Sequence, residues 1–443
     1  MWGINKQDTG KLPSCATKKI MLLFNGNKKG AGTMKRLLIG FTSLVFVFVM
    51  AFATFSFVKT QDSVTSNAIG ESRVDNVLRF DDNGKFKILH VADTHLKYGM
   101  RVEETLWLIG VACDREKPDL VVLTGDNLYN YDDANETKKL IGELMTVFES
   151  RNIPVAVTFG NHDSERGAMT RDELLDSYNA YSCSVSNDVK ELSGTGTYNL
   201  PILSKSGDKV AFNLWVFDSG DYDEEERYAQ VQKDQIDWYK ETSERLKAEN
   251  GGEKVNSLVF QHIIVPEIYD ALVKKDDAVA YSFRHIYNKG EYYHLNEENT
   301  NSGVLCEKPC PGYYNYGQFD ALVEQGDVLA MFVGHDHSNS FSVKHKGIDI
   351  VNTLSARYNW PFGSTRFGYR VIMVDESDTT TYQTESVRYH DFIDKEFANS
   401  KKEVDPFGYK LALRLAFKGT IRKAFDEFCF KFVEFFTDRK VRF

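Results

Sequence analysis

Residues 85–95 read KFKILHVADTH, a short strand pattern that runs directly into an acidic residue and a histidine. Apolar and polar side chains alternate up to Val91, which is the pattern of a strand with one face in a protein core. Asp93 and His95 follow immediately after this strand. The stretch therefore predicts a buried strand whose carboxyl end carries two potential metal ligands.

Four further short apolar runs also end in polar motifs. They are residues 120–124 before Gly125-Asp126-Asn127, 155–159 before Gly160-Asn161-His162-Asp163, 258–260 before Gln261-His262, and 328–333 before Gly334-His335-Asp336-His337. Helical periodicity at 103–117, 137–151 and 234–249 separates some of these runs, so strands and helices alternate. We therefore predict an α/β fold whose polar motifs meet beyond the carboxyl ends of the strands, where ligand sites form in such sheets.

These motifs supply oxygen and imidazole ligands and no cysteine thiolate. Such a set suits catalytic first-row metals and differs from the cysteine-rich cages of structural zinc. A carboxylate such as Asp126 can bridge two ions, and a pair of ions binds phosphate oxygens and lowers the pKa of a bridging water. The motifs therefore predict a two-metal phosphoesterase site.

Taken in order, the five motifs resemble those of the calcineurin-like metallophosphoesterase superfamily, which includes the purple acid phosphatases. The resemblance extends from about residue 80 to residue 390. It implies a four-layer α/β/β/α sandwich, with two metal ions held on loops at one edge of the sheets. The first ion would be held by Asp93, His95, the bridging Asp126 and His337, and the second by Asp126, Asn161, His262 and His335.

The resemblance also implies a mechanism, in which metal-bound hydroxide attacks phosphorus in line. His162 would approach the leaving-group oxygen as a general acid or as a stabiliser of developing charge, with Asp163 orienting it. The ligand set suits iron, manganese and zinc, so the sequence does not choose the metal. Phosphomonoester hydrolysis is the favoured function, and the alternatives are a phosphodiesterase of the same fold and a catalytically silent binding protein that retains the fold.

The first motif departs from that of the coloured purple acid phosphatases, which have Asp-x-Gly there and ligate iron through the tyrosine of GDxxY. This chain has Asp-x-His, although Tyr129 completes a GDxxY pattern. His95 and Tyr129 compete for one coordination position, and we predict that His95 fills it. Tyr129 is then left to pack or hydrogen-bond, and no strong tyrosinate-to-iron colour is expected.

Charge is distributed unevenly over the 443 residues, whose formal net charge is −10. Residues 1–59 carry nine Lys or Arg against one acid, and residues 410–443 carry nine against four. The region between them is therefore strongly acidic and a poor binder of nucleic acid, whose phosphates are held by Lys and Arg. We expect a small phosphate ester as substrate and no nucleic-acid partner, whereas the oligomeric state is not indicated.

The amino-terminal part of the chain is predicted to carry a targeting segment. Residues 34–59 are predicted to be a membrane-spanning signal anchor or a cleaved signal peptide, because residues 37–58 are uncharged, mostly apolar and preceded by two basic residues. The basic flank favours export, either to the outer face of the cytoplasmic membrane or as a secreted protein. Residues 1–33 are interpreted as a mis-assigned leader before a start at Met34.

The remaining boundaries follow from composition. A linker is expected at 60–78 and the phosphoesterase domain at 79–392, with a tyrosine-rich, lid-like insert at 270–325. The insert is expected to form the rim or lid of the site, and the alternative is a solvated excursion without a role. Residues 404–443 form a basic amphipathic segment, which is predicted either to lie on an anionic membrane surface or to dock as a helix on the domain. Cys306 and Cys310 could form a disulfide or remain free thiols, and both readings are favoured over a zinc knuckle.

Overall fold

The structure is a computed structural model that describes residues 77–129, 132–165, 167–276, 282–358 and 366–417. The predicted leader, the amino-terminal anchor or signal segment, residues 60–76 of the linker and residues 418–443 lie outside these ranges. Within the described ranges, no helix combines the length and hydropathy that a bilayer crossing requires.

Strands and helices alternate through the first half of the described chain, and strands dominate the second. The strands are β1 (Lys85–Val91), β2 (Leu120–Leu123), β3 (Val155–Val157), β4 (Tyr198–Leu203), β5 (Val210–Val216), β6 (Ser257–Gln261), β7 (Val273–Lys275), β8 (Phe283–Arg284), β9 (Tyr292–His294), β10 (Thr300–Ser302), β11 (Val328–Val333), β12 (Ser342–His345), β13 (Ile348–Asn352), β14 (Gly368–Asp375) and β15 (Gln383–Arg388). The helices are α1 (Val102–Glu116), α2 (Ala134–Glu149), α3 (Asn161–Ser164), α4 (Arg171–Asn179), α5 (Lys233–Glu249), α6 (Ile268–Ala271), α7 (Gln318–Gln325), α8 (Tyr389–Phe392) and α9 (Lys395–Lys401).

Two large sheets organise these elements. One has the strand order β15-β14-β1-β2-β3, and the other has the order β10-β12-β13-β11-β6-β5-β4. Strands β1, β2 and β3 are parallel neighbours in the first sheet, and β5, β6, β11 and β13 are parallel neighbours in the second. Because the carboxyl ends of parallel strands lie at one edge of a sheet, the loops that follow these strands gather at that edge.

The hydrophobic core has three parts, which define the layers. Between the sheets, Ile88 and Val122 from the first sheet pack with Phe260 and Phe332 from the second. On the outer face of the first sheet, residues such as Leu89 pack against α1, α2 and α4. The outer face of the second sheet packs against α5, α6 and α7. The layers are therefore helices, sheet, sheet and helices, so the predicted α/β class is confirmed.

The alternation of apolar residues predicted the strands that carry polar motifs, and the bounds of β1 and β11 agree with it. Helix α4 begins with a capping box at Thr170, because its side chain accepts from the backbone N–H of Glu173 and its own N–H donates to the Glu173 carboxylate at 2.8 Å. The sequence reading did not propose β4, β5 or β12–β15. The edge strand β15 reads QTESVR, a mostly polar and exposed sequence without a clear core face.

The carboxyl-terminal segment begins as a helix over residues 406–417. Leu411 and Leu415 are buried in the core on the outer face of the first sheet, whereas Phe407 and Phe417 are exposed. Trp107 of α1 donates its indole N–H to Asp405 at 2.6 Å just before this helix. The described part of the segment therefore packs on the domain, whereas the choice between docking and membrane contact for the whole segment stays a prediction.

A layer of buried polar side chains joins the two sheets and is called here the inter-sheet polar layer: His90, Thr124, Thr353 and Arg370. The His90 ring lies 2.8 Å from the hydroxyls of both Thr124 and Thr353, through Nε2 and Nδ1 respectively. Arg370 donates to Thr353 at 3.3 Å and to the backbone carbonyls of Ser340 and Asn352 at 2.9 and 3.0 Å, among other bonds. This layer fixes the sheets together directly behind the loops that form the candidate site.

Candidate metal centre

The loops beyond the strand ends hold several polar residues in a left-handed backbone conformation. Asp93, His95, Asp126 and His335 have φ angles of 56°, 42°, 48° and 67°. Non-glycine residues adopt this conformation rarely, and when they do it costs on the order of 1–3 kcal/mol each and is found mostly at functional sites. The fold therefore strains its backbone at four residues that the sequence predicted as metal ligands.

Two glycines of the motifs allow these loops to approach each other. A Cβ on Gly125, whose φ is 96°, would lie 2.2 Å from the backbone nitrogen of Gly160. A Cβ on Gly160 would lie 2.3 Å from a carboxylate oxygen of Asp126. Any larger residue at either position would therefore separate the ends of β2 and β3 and displace the Asp126 carboxylate.

A first group of potential ligand atoms comes from both sheets. Asp93, His95, Asp126 and His337 each offer one atom, and these atoms all lie within 4.8 Å of one another. Nε2 of His95 is 2.9 Å from Nε2 of His337. Nε2 of His95 is also 3.8 Å from the Asp93 carboxylate and 3.7 Å from that of Asp126. The structure thus brings together the four side chains predicted for the first ion.

A second group shares Asp126 with the first. Asp126, His262 and His335 form it, with Nε2 of His262 3.3 Å from the Asp126 carboxylate and 3.2 Å from Nδ1 of His335. The other His262 nitrogen, Nδ1, lies 3.0 Å from the backbone carbonyl of Thr124, which directs Nε2 toward the group. Asn161, the fourth predicted ligand, begins α3 beside Asp126, and the N–H of the next residue donates to the Asp126 carboxylate at 2.8 Å.

The protein's own atoms do not satisfy this cluster. Within the described structure, the buried oxygens Asp126 Oδ2 and Asn161 Oδ1 have no hydrogen-bond partner. Nδ2 of Asn161 donates to the Tyr222 hydroxyl at 2.8 Å, so the free Oδ1 is the atom left for another partner. A buried polar atom without a partner costs about 1–3 kcal/mol. The donor set of carboxylate, amide and imidazole groups therefore fits metal ions.

The electrostatics of the cluster also fit a cation between these groups. Burial alone would lower the pKa of His262, but the negative charge of Asp126, 3.3 Å away, raises that pKa to about 9. Burial alone would likewise raise the pKa of Asp126, but His262 holds it well below its ordinary value. In contrast, burial lowers the pKa of His337 to about 4 and the pKa of His95 well below its usual range. Without a metal ion, the cluster therefore favours a protonated His262 beside the ionised Asp126, and neutral His95 and His337. A metal ion at His262 would take the place of this proton, since a metal ligand must be deprotonated.

His162 lies at the edge of the first group. Its ring contacts those of His95 and Tyr129, with centroids 5.3 and 5.1 Å apart. Nδ1 of His162 is 2.6 Å from the carboxylate of Glu165, one turn along the chain. This contact leaves Nε2 of His162 as the ring nitrogen that can meet a substrate.

The Asp163 carboxylate does not contact His162, which the sequence had predicted it to orient. Its carboxylate accepts from the backbone N–H groups of Gly160 and Leu128, at 2.8 and 2.9 Å. It therefore ties the loop after β3 to the loop after β2, and the carboxylate that orients His162 is that of Glu165. The i,i+3 spacing of His162 and Glu165 was the signal available in the sequence, since residues so spaced on a helical turn are neighbours.

One wall of the site combines Tyr129 with basic residues. The Tyr129 ring lies 5.5 Å from that of His95, centroid to centroid. Lys97 Nζ and Arg357 Cζ lie 5.3 and 6.0 Å from the Tyr129 centroid. Tyr129 thus packs beside His95. That Tyr129 does not bind a metal stays a prediction.

The opposite wall is aromatic. Tyr228 makes an edge contact with the His335 ring, with centroids 4.4 Å apart, and stacks on Tyr222 at 5.5 Å. Tyr313 of the insert bonds through its N–H to the Tyr228 carbonyl at 2.9 Å and is itself exposed. Part of the predicted insert therefore does reach the edge of the site.

The insert also brings Cys310 near His335 and Asp336. Cys306 and Cys310 are both free thiols in the structure, so the second of the two favoured readings applies. The backbone N–H of Cys310 donates to the Asp336 carboxylate at 3.3 Å. Asp336 therefore serves to hold the insert beside the site, between two histidines of the same motif.

Comparison with known proteins identifies the family that this fold and site define. The profile of the calcineurin-like phosphoesterases matches residues 86–339, which is more than half of the chain. The chain therefore belongs to the calcineurin-like phosphoesterase family, as its motifs predicted. The matched range includes every residue predicted as a metal ligand.

Several named proteins are similar to this chain. It is 29% identical over 337 residues to "Probable inactive purple acid phosphatase 29" of Arabidopsis thaliana, covering 67% of this chain and 79% of that protein. It is 27% identical over 325 residues to "Phosphatase DCR2" of Saccharomyces cerevisiae, covering 66% of this chain and 50% of that protein. Among solved structures, a dimetal phosphatase from Danio rerio aligns with a TM-score of 0.43 and 13% identity, covering 68% of this chain and 98% of that one.

Proposed function

We propose that this protein hydrolyses phosphate esters at a dinuclear metal centre, with phosphomonoesters as the favoured substrates. The observation that carries the proposal is the convergence of two ligand groups on the shared carboxylate of Asp126, with side-chain oxygens left unpartnered. Membership of a phosphoesterase family supports the same reaction class. The ions would be held by Asp93, His95, Asp126 and His337 on one side and by Asp126, Asn161, His262 and His335 on the other.

Two metal ions in these positions would supply Lewis acidity for the phosphoryl oxygens and for the attacking water. The chain's own residues then have separate tasks. His162, held through Nδ1 by Glu165, would present Nε2 to the leaving-group oxygen and give it a proton. Asp163 would hold the loops after β2 and β3 together, which fixes the position of His162 relative to Asp126.

A catalytically silent binding protein is the second candidate function. Its specific support is the word "inactive" in the names of the Arabidopsis thaliana relatives. Against it stand the complete ligand groups and the unpartnered oxygens of this chain. A phosphodiesterase of the same fold is the third candidate, since two metals can serve either ester.

The test is hydrolysis by the full chain after removal of metal and reloading with iron, manganese or zinc. An aryl phosphate and its bis-aryl diester would be compared, with Asp126→Asn as the control. We expect metal-dependent turnover that the control lacks, with two ions bound per chain and a higher kcat/KM for the monoester. Two bound ions without turnover of either ester would favour the silent binding protein.

We also propose that the protein is exported and held at the membrane or secreted. The proposal depends on residues 34–59 and, for a second membrane contact, on the basic residues beyond 417, all of which lie outside the described structure. Fractionation of cells that express the full chain, with protease added from outside, tests it. A catalytic domain that is protected in intact cells and accessible only after lysis would contradict export.

A further inference from the structure

Arg357 lies on the loop after β13, and Ser355 of the same loop is hydrogen-bonded to two residues predicted to bind metal. Ser355, two residues earlier, donates its hydroxyl to the Asp93 carbonyl at 2.8 Å and its N–H to the His337 carbonyl at 3.0 Å. Strand β13 is one of the parallel strands whose carboxyl ends gather at the site. The position of Arg357 relative to the site is therefore fixed by the loops that carry the ligands.

The guanidinium of Arg357 is half-buried and has no ion-pair partner among the described residues. Its contacts are Nη2 to the Met100 sulfur at 3.4 Å and Cζ over the Tyr129 ring at 6.0 Å. Its Nε is buried and makes no hydrogen bond. Because the guanidinium of Arg stays protonated, this is a cation placed at the site without a compensating charge.

Other buried arginines of the molecule donate to oxygen acceptors of the protein, whereas the Arg357 guanidinium has no oxygen acceptor among the described residues. Arg171 pairs with the Asp218 carboxylate and donates to the Gly160 carbonyl at 2.9 Å. Arg370 donates to backbone carbonyls and hydroxyls of the inter-sheet polar layer. Partial burial of an uncompensated charge is unfavourable, and metal ions in the site would add more positive charge beside Arg357. Since no described residue supplies the missing charge, the partner that this site lacks is an anion from outside the described part of the chain.

We infer that Arg357 is a substrate-binding residue whose guanidinium pairs with phosphoryl oxygens, and that it selects the dianion of a phosphomonoester over a diester. This inference rests on the proposed function and names its substrate class. Guanidinium groups pair with phosphate through two parallel N–H···O bonds. A monoester dianion offers three terminal oxygens and more charge than a diester monoanion, so it gains more from this pairing.

The test uses the full chain loaded with metal and the variants Arg357→Ala and Arg357→Lys. Arg245→Ala is the matched control, because Arg245 is exposed on α5 and its ion pair is with Glu249 on the same helix. Binding of inorganic phosphate is measured by calorimetry, and KM and kcat are measured for the aryl monoester and diester. Thermal unfolding shows whether each variant is folded.

In Arg357→Ala we expect about a 10- to 150-fold weaker phosphate affinity, since hydrogen bonds to charged groups contribute in that range. The KM for the monoester should rise by a similar factor and that for the diester by less, with kcat changed less than KM. Arg357→Lys should recover part of the loss, and Arg245→Ala should behave as the unmodified protein.

Unchanged phosphate affinity in a folded Arg357→Ala protein would overturn the inference, as would equal losses for monoester and diester. If Arg357→Ala does not fold, Arg357→Lys carries the test, because replacing the planar guanidinium should still weaken phosphate binding and narrow the preference for the monoester. If phosphate binding depends on Arg357 but neither ester is hydrolysed, the proposed function is refuted and the contact between Arg357 and phosphate is supported. Turnover with phosphate binding independent of Arg357 would refute the inference alone.

Discussion

Two sets of buried polar side chains lie a few residues apart in this molecule and differ in how their atoms are satisfied. In the inter-sheet polar layer, both ring nitrogens of His90 have hydroxyl partners at 2.8 Å. In the candidate metal centre, Asp126 Oδ2 and Asn161 Oδ1 have none, and Nε2 of His95 faces Nε2 of His337 at 2.9 Å. The first set is complete without a ligand, and the second is not.

The backbone shows the same difference. His90 lies inside the regular strand β1, whereas Asp93 and His95 follow within five residues in the left-handed conformation. Strain and unsatisfied atoms persist where function requires them, and satisfied networks stabilise the fold. Changes in the metal centre should therefore affect metal binding and turnover, and changes in the polar layer should affect the free energy of unfolding.

The largest effect is expected from Asp126→Asn, because both ligand groups share this carboxylate. Metal ions contribute several kcal/mol to transition-state stabilisation, so kcat/KM should fall about 1,000-fold or more. Metal content per chain, measured by atomic emission, should fall with it. Urea unfolding of the metal-free protein should change by less than about 1 kcal/mol, since the site is strained and unsatisfied without metal. A large loss in the free energy of unfolding would instead show that Asp126 stabilises the fold, as the inter-sheet polar layer does.

His162→Gln should reduce kcat by about 100- to 1,000-fold, which is the range for loss of a positioned general acid. The number of bound metal ions should stay unchanged, because His162 is outside both ligand groups. Glu165→Gln keeps a hydrogen-bond acceptor near Nδ1 and should show a smaller loss. Steady-state kinetics with an aryl phosphate check both variants. The assignment of His162 would be wrong if an ester with a very acidic leaving group lost as much rate as one with a poor leaving group.

His90→Gln changes the inter-sheet polar layer and leaves the metal centre unmodified. At pH 7.5 we expect a loss of about 1–3 kcal/mol in the free energy of unfolding, because the two threonine hydroxyls lose part of their hydrogen bonding. Activity per folded molecule should stay within tenfold of the unmodified protein. Urea titration followed by fluorescence, with activity normalised to the folded fraction, provides both numbers. A large loss of activity without loss of stability would show that His90 contributes to function and not mainly to the stability of the fold.

The same variant predicts a pH dependence with a defined sign. Burial holds the pKa of His90 well below its ordinary value, so the folded protein keeps this ring neutral while the unfolded chain takes up a proton below about pH 6.5. The stability that the neutral ring provides is therefore present above pH 6.5 and is lost as the pH falls. The stability difference between the unmodified protein and His90→Gln should shrink by about 1.4 kcal/mol per pH unit below 6.5. A difference independent of pH would show that His90 has the same pKa in the folded and the unfolded protein.

The sequence predicted the fold class and the meeting place of the motifs because both depend on local patterns. Strand alternation followed by polar residues identified β1 and placed Asp93 at its end. It did not reveal Arg357, although that residue also follows a parallel strand, because the alternating apolar residues of β13 were not singled out. Glu165 was missed although its i,i+3 spacing from His162 was available in the sequence. Tyr222 was missed because its role depends on a contact across the site with Asn161, which no spacing along the chain specifies.

Tyr222→Phe is expected to have the smallest effect and to show how far the site depends on its supports. The phenol oxygen accepts from Nδ2 of Asn161 at 2.8 Å and so fixes which end of the amide faces the cluster. Removing that oxygen leaves the ring stacked on Tyr228, but the Asn161 amide can then rotate. Outer partners of metal ligands typically contribute 10- to 100-fold in affinity or activity, and we expect about tenfold here because one ligand of one ion is affected. Titration with metal should show one weakened and one unchanged binding step. Two equally weakened steps would mean that Tyr222 acts on the shared carboxylate of Asp126 and not on Asn161 alone.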